Sequence, residues 1–169
     1  MLEREGAKFS GRCLVVHETI AATTCHNACL QETKLEAIDD SLARFLGAYK
    51  LNQFVYKPAQ GIRGGILLLW DDRVVDMQNP EIGQYSITSI VTVRDTAASF
   101  VLIGVYGPRR VQKESFLRHL RQMKPTNDTR WLLQGDFNLI YRARDKNNRN
   151  LNLSLMRSFR RTLNFCEPK

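Results

Sequence analysis

Short apolar runs alternate along the chain with segments of helical periodicity, and this order predicts a mixed α/β protein. Residues 66–70 are apolar throughout, which is typical of a strand buried on both faces. Residues 53–57 and 87–93 instead alternate apolar and polar side chains, as strands with one buried face do. The run 100–105 is again apolar and predicts a further strand, separated from the preceding one by a hairpin loop at 95–99.

Three segments carry apolar residues at the spacing of an amphipathic helix. This spacing predicts helices over 35–46, 116–123 and 151–163, the first ended by Gly47 and the last with an arginine-rich outer face. With antiparallel strand pairs in the middle of the chain, the order favours sheets covered by helices. A length of 169 residues fits one domain with a substantial core.

The charge of the chain narrows the choice of partner. Its formal net charge is +8 and its isoelectric point is near 9.6, which favours nucleic acid first and an acidic membrane second, although many basic proteins bind nothing acidic. Most of the excess lies in residues 141–169, which predict either a phosphate-binding patch or a solvated helix face. The basic residues of this stretch are Arg142, Arg144, Lys146, Arg149, Arg157, Arg160, Arg161 and Lys169, against Asp145 and Glu167.

The lack of a membrane span or secretory signal and the pattern of cysteines both indicate an intracellular protein. No apolar run is long enough to span a bilayer, and the first residues lack the apolar core of a secretory signal. We therefore expect an intracellular protein of the nucleus or cytoplasm that binds no membrane. Cys25 and Cys29 flank His26 in a way that suggests zinc, but no second pair follows at finger spacing. A core position for Cys29, with a reduced thiol, is the simpler interpretation.

Polar side chains with catalytic potential follow three of the apolar runs. A sheet fixes the backbone at a strand end while the loop beyond stays open to solvent, so such groups are expected together at one edge of a sheet sandwich. The residues in these positions are Glu32, Tyr106, Asp136 and Asn138. Because side chains at positions i and i+2 of a strand share a face, we expect Asp136 and Asn138 to leave the last strand pointing the same way.

These groups meet the needs of phosphodiester hydrolysis. Carboxylate oxygens bind a hard divalent cation that neutralises phosphate charge, and a second carboxylate orients or deprotonates the attacking water. An amide and a phenol donate hydrogen bonds to phosphoryl oxygens. The competing interpretations are that Gly-Asp-x-Asn simply forms a turn and that Tyr106 is a half-buried edge aromatic.

Four motifs occur in the order and rough spacing of one known family: CLQETK at 29–34, RGGI at 63–66, VYGP at 105–108 and GDFN at 135–138. In them the chain resembles the endonuclease/exonuclease/phosphatase family. Within that family it looks like the endonuclease domain of plant LINE-type (non-LTR) retrotransposons, because the segment LIYRARDKNN at 139–148 is similar to the one that follows the catalytic loop there.

The resemblance implies a four-layer α/β sandwich, Mg²⁺ or Mn²⁺ as cofactor, and nicking of DNA. Glu32 would bind the metal and Tyr106 would contact the scissile phosphate. Asp136 would position the nucleophilic water, and Asn138 would stabilise the transition state. Candidate contacts to the phosphate backbone of DNA are the basic residues Arg109, Arg142, Arg144, Lys146 and Arg149.

The chain also departs from the family pattern. Residues 1–24 lack the strand whose Asn helps to hold the metal, so we expect a divergent segment at 1–24 and a partial, incomplete sandwich over 25–169. A late Asp and His are missing, since His17, His26 and His119 all precede the GDFN loop. This pattern predicts a chain truncated at both ends, a fragment with little or no nuclease activity.

Three alternatives stay open at the level of sequence. The first is a non-catalytic basic module that binds nucleic acid, the second is an unstable pseudogene product, and the third is a part of a longer functional enzyme. The sequence predicts no oligomeric state.

Overall fold

The computed structural model describes residues 11–61, 63–126, 129–145 and 151–166. Within them the helices are α1 (Gly11–Ala21), α2 (Asp40–Leu46), α3 (Lys113–Gln122) and α4 (Leu153–Cys166), with a 3-10 turn at Ala143–Asp145. The strands are β1 (Asn27–Gln31), β2 (Gln53–Lys57), β3 (Ile66–Trp70), β4 (Val75–Ile82), β5 (Ser86–Val93), β6 (Ser99–Tyr106) and β7 (Trp131–Asp136). None of these helices is long and apolar enough to cross a membrane.

The strands form two sheets. The first has the order β1-β3-β2, with both outer strands antiparallel to the central β3. The second has the order β4-β5-β6-β7, in which β4, β5 and β6 are antiparallel while β6 and β7 run parallel. A parallel pair needs a crossover connection, and the segment that contains α3 supplies it.

The two sheets pack face to face between two layers of helices, which confirms the four-layer α/β sandwich. Along β3, Ile66, Leu68 and Trp70 enter the core between the sheets, while Leu67 and Leu69 face the core beneath α1 and α2. This strand is therefore buried on both faces, as its apolar run predicts. A third core lies between the second sheet and the helices α3 and α4, and its buried residues are Tyr85, Ile103, Val105, Phe116, Leu117, Leu120 and Phe159.

The boundaries of most elements follow the sequence pattern, and α2 shows where the pattern misleads. This helix begins at Asp40, later than the periodicity from residue 35 predicts. The side chain of Asp39 accepts a hydrogen bond from the backbone N–H of Leu42 at 2.8 Å, and this N-cap sets the first turn. Gly47 ends the helix, as predicted.

Two elements carry no clear sequence signal. Strand β4 contains Asn79 in the left-handed region, with φ of 50°, followed by Pro80, and its register with β5 shifts between Gln78 and Glu81. Proline and a bulge are typical of an edge strand. Here they interrupt the alternation of apolar and polar residues by which a strand is recognised in a sequence. Helix α1 exposes Leu14 and Val15, so its apolar residues form no clean stripe.

The sheets approach closely where Cys29 of β1 faces Gly104 of β6. A methyl group added at Gly104 would lie 2.7 Å from the Cys29 sulfur, so glycine is what allows this contact. Burial raises the pKa of the Cys29 thiol to about 11, although a hydrogen bond from Gln31 to the sulfur at 3.2 Å opposes the shift. The interpretation of Cys29 as a core residue is confirmed.

We expect Gly104→Ala to lower the free energy of unfolding by about 1–3 kcal/mol, because the added methyl group overpacks the space beside Cys29. Adding Cys29→Ala should make that loss smaller, since the sulfur is then gone. Urea denaturation of the wild type, both single variants and the double variant measures this. If Gly104→Ala destabilises both backgrounds equally, the contact with Cys29 is not the cause.

Candidate active site at the ends of three strands

The second sheet brings Tyr106 and Asp136 together. Strands β6 and β7 run parallel, and Tyr106 stands opposite Asp136 in their register. Strand β1 contacts both β6 and β7 across the sandwich, and Glu32 follows it directly. The three strand ends therefore open on one edge of the molecule, as their positions in the sequence predict.

The Glu32 loop is held by the RGGI motif. Glu32 and Lys34 have positive φ values of 54° and 58°, which non-glycine residues rarely adopt outside constrained sites. The backbone N–H of Lys34 donates to the carbonyl of Gly64 at 3.0 Å. Gly65 has φ of 89°, and a β-carbon there would collide with the hydroxyl of Thr33. The motif thus fixes the direction in which the loop leaves β1.

Arg109 lies among the acidic groups of this edge. Its guanidinium donates to a carboxylate oxygen of Glu32, and the ammonium of Lys34 lies 3.6 Å from the other oxygen. A hydrogen bond with Tyr106 raises the pKa of Arg109 above its usual range, and the charges of Tyr106, Glu32 and Asp136 add to the shift. Arg109, predicted from the sequence as a DNA contact, therefore has Glu32 as its partner here.

The GDFN loop forms a turn around Asp136. Strand β7 ends at that residue and Asn138 has φ of 50°, so the expectation that both side chains share one strand face is wrong. The carboxylate of Asp136 accepts the backbone N–H of Asn138 at 2.8 Å, which is the turn that the competing interpretation predicts. This turn also fixes the position of the Asp136 carboxylate.

Asn138 links the loop after β7 to the loop after β6. Its side-chain amide donates to the backbone carbonyl of Gly107 at 2.7 Å, and the backbone carbonyl of Asn138 accepts a hydrogen bond from the ammonium of Lys113 at 2.6 Å. An amide carries two N–H groups, so one remains for a ligand. Asn138 is therefore both a structural tie and a possible donor.

A groove of about 820 Å³ leads away from this edge. It begins at Glu32 and Tyr106 and reaches Gln84 and Tyr85 in the turn between β4 and β5, and Asp136 is not part of its lining. Sequence reasoning missed this groove, because its basic residues are scattered along the chain and form no local cluster. These residues are Lys57, Arg63, Arg109 and Arg110.

The other predicted DNA contacts fall after the GDFN loop. Arg142 and Arg144 lie in the turn that follows Leu139 and Ile140, with the Arg142 guanidinium 5.8 Å from the centre of the Tyr141 ring. Lys146 and Arg149 lie outside the described residues.

Among the residues described, no histidine contacts the candidate site. The His17 imidazole stacks on the ring of Phe45 in α2. The His119 imidazole lies 3.1 Å from the hydroxyl of Ser86. Burial lowers the pKa of His119, helped by the charge of Lys57. His26 precedes β1, at the opposite end of that strand from Glu32.

The donor set at the edge suits a weakly held hard cation. Within the described ranges, no group of three or more His, Cys, Asp or Glu residues surrounds a common point, and the available carboxylates are those of Glu32 and Asp136. Magnesium is commonly held by one or two carboxylates, with substrate phosphate and water as its other ligands. The residues present therefore fit a cation whose shell a phosphate completes.

The sequence profile of the Endonuclease/Exonuclease/phosphatase family matches residues 28–168. The chain belongs to this family. Family members are metal-dependent phosphodiesterases and nucleases that generally use a divalent metal. No curated protein sequence matches the chain significantly.

Solved structures of the family share the fold. The catalytic domain of human Nocturnin with bound sulfate is 17% identical, with a TM-score of 0.59 over 75% of this chain and 56% of that one. D. rerio TDP2 complexed with single strand DNA product is 15% identical, with a TM-score of 0.55 over 76% and 54%. ANGEL2, a 2',3'-cyclic phosphatase in complex with adenosine-2',3'-vanadate, is 11% identical, with a TM-score of 0.57 over 79% and 45%. The chain spans about half the length of these structures.

We expect Arg109→Gln to tighten Mn²⁺ binding roughly twofold to fivefold, the scale of a partly exposed ion pair, because the guanidinium and the cation compete for Glu32. Titration calorimetry without nucleic acid measures the affinity. Arg110→Gln is the matched control, since it removes the same charge from a neighbour that has no contact with Glu32. Equal affinity of the Arg109→Gln variant and the wild type would contradict the competition.

Proposed function

We propose that this chain carries the site of a divalent-metal-dependent phosphodiesterase that nicks DNA, of the kind found in plant LINE-type retrotransposons. The observation that carries the proposal is the convergence of Glu32, Tyr106 and Asp136 at one sheet edge. A carboxylate, a phenol and a second carboxylate in this arrangement are the groups that phosphodiester hydrolysis needs. We also propose that it acts inside the cell, in the nucleus or cytoplasm.

Each residue has a distinct role in the proposed reaction. Glu32 would hold Mg²⁺ or Mn²⁺, which when bound neutralises phosphate charge. The Tyr106 hydroxyl donates to an oxygen of the scissile phosphate, and Asp136 orients the attacking water and accepts its proton. The second N–H of the Asn138 amide stabilises the charge that develops on the phosphoryl oxygens.

We further propose that this chain nicks DNA slowly or not at all. The Glu32 carboxylate is already neutralised by Arg109 and Lys34, so a cation must displace a guanidinium to reach it. No histidine among the described residues stands at the site to share in proton transfer, and the loss of one member of a catalytic set lowers the rate by orders of magnitude.

The nucleic-acid substrate has two further supports. The net charge of +8 favours a polyanion, and TDP2 is complexed with single strand DNA product in a related structure. The choice of DNA over RNA rests on the retrotransposon resemblance.

Plasmid nicking under single-turnover conditions tests the function. With Mg²⁺ or Mn²⁺ we expect slow conversion of supercoiled to open-circular DNA, reduced to background by a chelator and by Asp136→Ala. Conversion that survives both treatments would show that this site is not responsible. Fast, chelator-sensitive nicking would contradict the proposed impairment but leave the site assignment intact.

A non-catalytic nucleic-acid-binding module is the second candidate, and the neutralised Glu32 carboxylate favours it. Such a module would bind DNA in a salt-dependent manner that neither Asp136→Ala nor removal of the metal changes. Absence of nicking together with DNA binding that is unchanged in Asp136→Ala and without the metal would select this candidate.

A further inference from the structure

The helices α3 and α4 carry exposed arginines on the outer surface of the molecule. Their apolar residues lie in the core against the second sheet, so their polar faces point to solvent. Neither helix lines the groove at the candidate site. The surface formed by the exposed arginines, two on each helix, is termed the arginine face, and its members are Arg118, Arg121, Arg157 and Arg161.

Packing of the two helices against each other joins these arginines into one surface. Nε of Arg121 in α3 donates to the hydroxyl of Thr162 in α4 at 3.1 Å. The axes of packed helices lie roughly 8–10 Å apart, and the rise of a helix separates Arg157 and Arg161 by about 6 Å along α4. Two segments that are distant in the sequence therefore form one cationic surface.

No acidic group balances the arginine face among the residues that the structure describes. In these ranges none of its four arginines has an ion-pair partner, whereas Arg73, Arg94 and Arg109 each have one. Glu114 precedes Arg118 by one turn of α3 but does not pair with it. Like charges one turn apart on a helix repel each other, so an anion bound to this face would relieve the repulsion.

Two other arginines of this region contact the protein itself. Nε of Arg160 donates to the carbonyl of Tyr141 at 2.6 Å, and the Arg160 guanidinium lies 5.4 Å from the centre of the Tyr141 ring. Arg142 lies 5.8 Å from the centre of the same ring. The basic stretch 141–169 is therefore not one patch, because only part of its charge lies on the arginine face and α3 supplies the rest of that face.

We propose that the arginine face binds the phosphate backbone of double-stranded DNA outside the candidate active site. The choice of DNA rests on the proposed function. The choice of phosphate rests on the arginines, because a planar guanidinium forms two parallel hydrogen bonds with a phosphate group. Duplex DNA carries one charge per about 1.7 Å of its axis, so both helices reach phosphates without rearrangement. The arginine face adds affinity and takes no part in the chemistry.

The open outer surface of two packed helices favours a duplex over a single strand. Sites for a single strand combine a groove with aromatic side chains on which the bases stack. The exposed aromatic ring of α4 is that of Phe165, and the ammonium of Lys124 already lies over it, 4.9 Å from its centre. A duplex presents its phosphates outward and needs neither a groove nor an aromatic platform.

An acidic membrane is the competing partner, and the apolar side of α4 argues against it. A helix that binds in the interface of a bilayer inserts its apolar face among the lipids. In α4 that face contains Leu155, Phe159 and Leu163, which pack in the core between the helices and the second sheet. The exposed apolar residues Leu153 and Phe165 stand at opposite ends of α4 and form no continuous stripe.

Fluorescence anisotropy with a labelled duplex of about 20 base pairs, two helical turns, tests the proposal. A chelator is present throughout, so binding is measured apart from cleavage. We expect Arg118→Gln/Arg157→Gln, which removes one arginine from each helix, to bind roughly tenfold more weakly. Its plot of log affinity against log salt should be shallower by about 1.8, for two lost phosphate contacts. Arg118→Lys/Arg157→Lys keeps the charge and should recover most of the affinity.

The matched control removes two charges from the opposite layer of helices. Arg12→Gln/Arg44→Gln alters one exposed arginine on each of α1 and α2, and it should keep nearly wild-type affinity. Thermal unfolding checks that each variant is folded. An equal loss in the control, or no loss in Arg118→Gln/Arg157→Gln, overturns the proposal. A single-stranded oligonucleotide that depends equally on the two arginines overturns the assignment to a duplex.

Two further comparisons separate this proposal from its rivals. Cosedimentation with phosphatidylserine-containing vesicles should give equal binding for the wild type and Arg118→Gln/Arg157→Gln. Vesicle binding that only the wild type shows, with unchanged duplex binding, would assign the face to a membrane and overturn the proposal. Face-dependent duplex binding without nicking would remove the proposed catalysis and keep the arginine face. Nicking by the wild type with unchanged duplex binding by the variant would do the reverse.

Discussion

The parallel pairing of β6 and β7 is the constraint on which the rest of the site depends. Their register sets Tyr106 opposite Asp136, and the turn after β7 fixes the Asp136 carboxylate through the Asn138 backbone. The close contact of Gly104 with Cys29 then brings β1 against this pair. This approach places the loop that carries Glu32 at the same edge as the ends of β6 and β7.

Charge balance at the edge is set by Arg109. Two carboxylates and a phenol around one point favour a cation, and the chain supplies a guanidinium from its own loop. The guanidinium that balances the charge of Glu32 would compete with a metal ion for the same carboxylate. A phosphate would change this balance, because it offers the guanidinium another anion to bind.

Much of the fold was predictable from period and turn chemistry alone. The buried β3 strand, the alternating β2 strand and the end of α2 at Gly47 all follow from local sequence. Strand β4 was not predictable, because Asn79 and Pro80 break its alternation at a sheet edge. The start of α2 was missed because a side-chain cap, not periodicity, determines it.

Part of the candidate site was likewise predictable from the sequence, and part of it was not. The strand-end residues of the site were predictable, since a position directly after an apolar run is a local signal. The ion-pair partner of Arg109 was not predictable. That ion pair joins residues far apart in the chain, and only the packing of one sheet on the other creates it. The groove was missed for the same reason, because no stretch of sequence contains it.

The order of the elements along the chain has a consequence for biosynthesis. All described residues that line the groove precede residue 113, whereas Asp136 and its strand β7 are made only after α3. During translation the first sheet and the antiparallel part of the second emerge from the ribosome before β7 does. At that stage every described groove residue lies outside the ribosome while Asp136 does not, so the groove can take shape before the edge that carries Asp136 is complete.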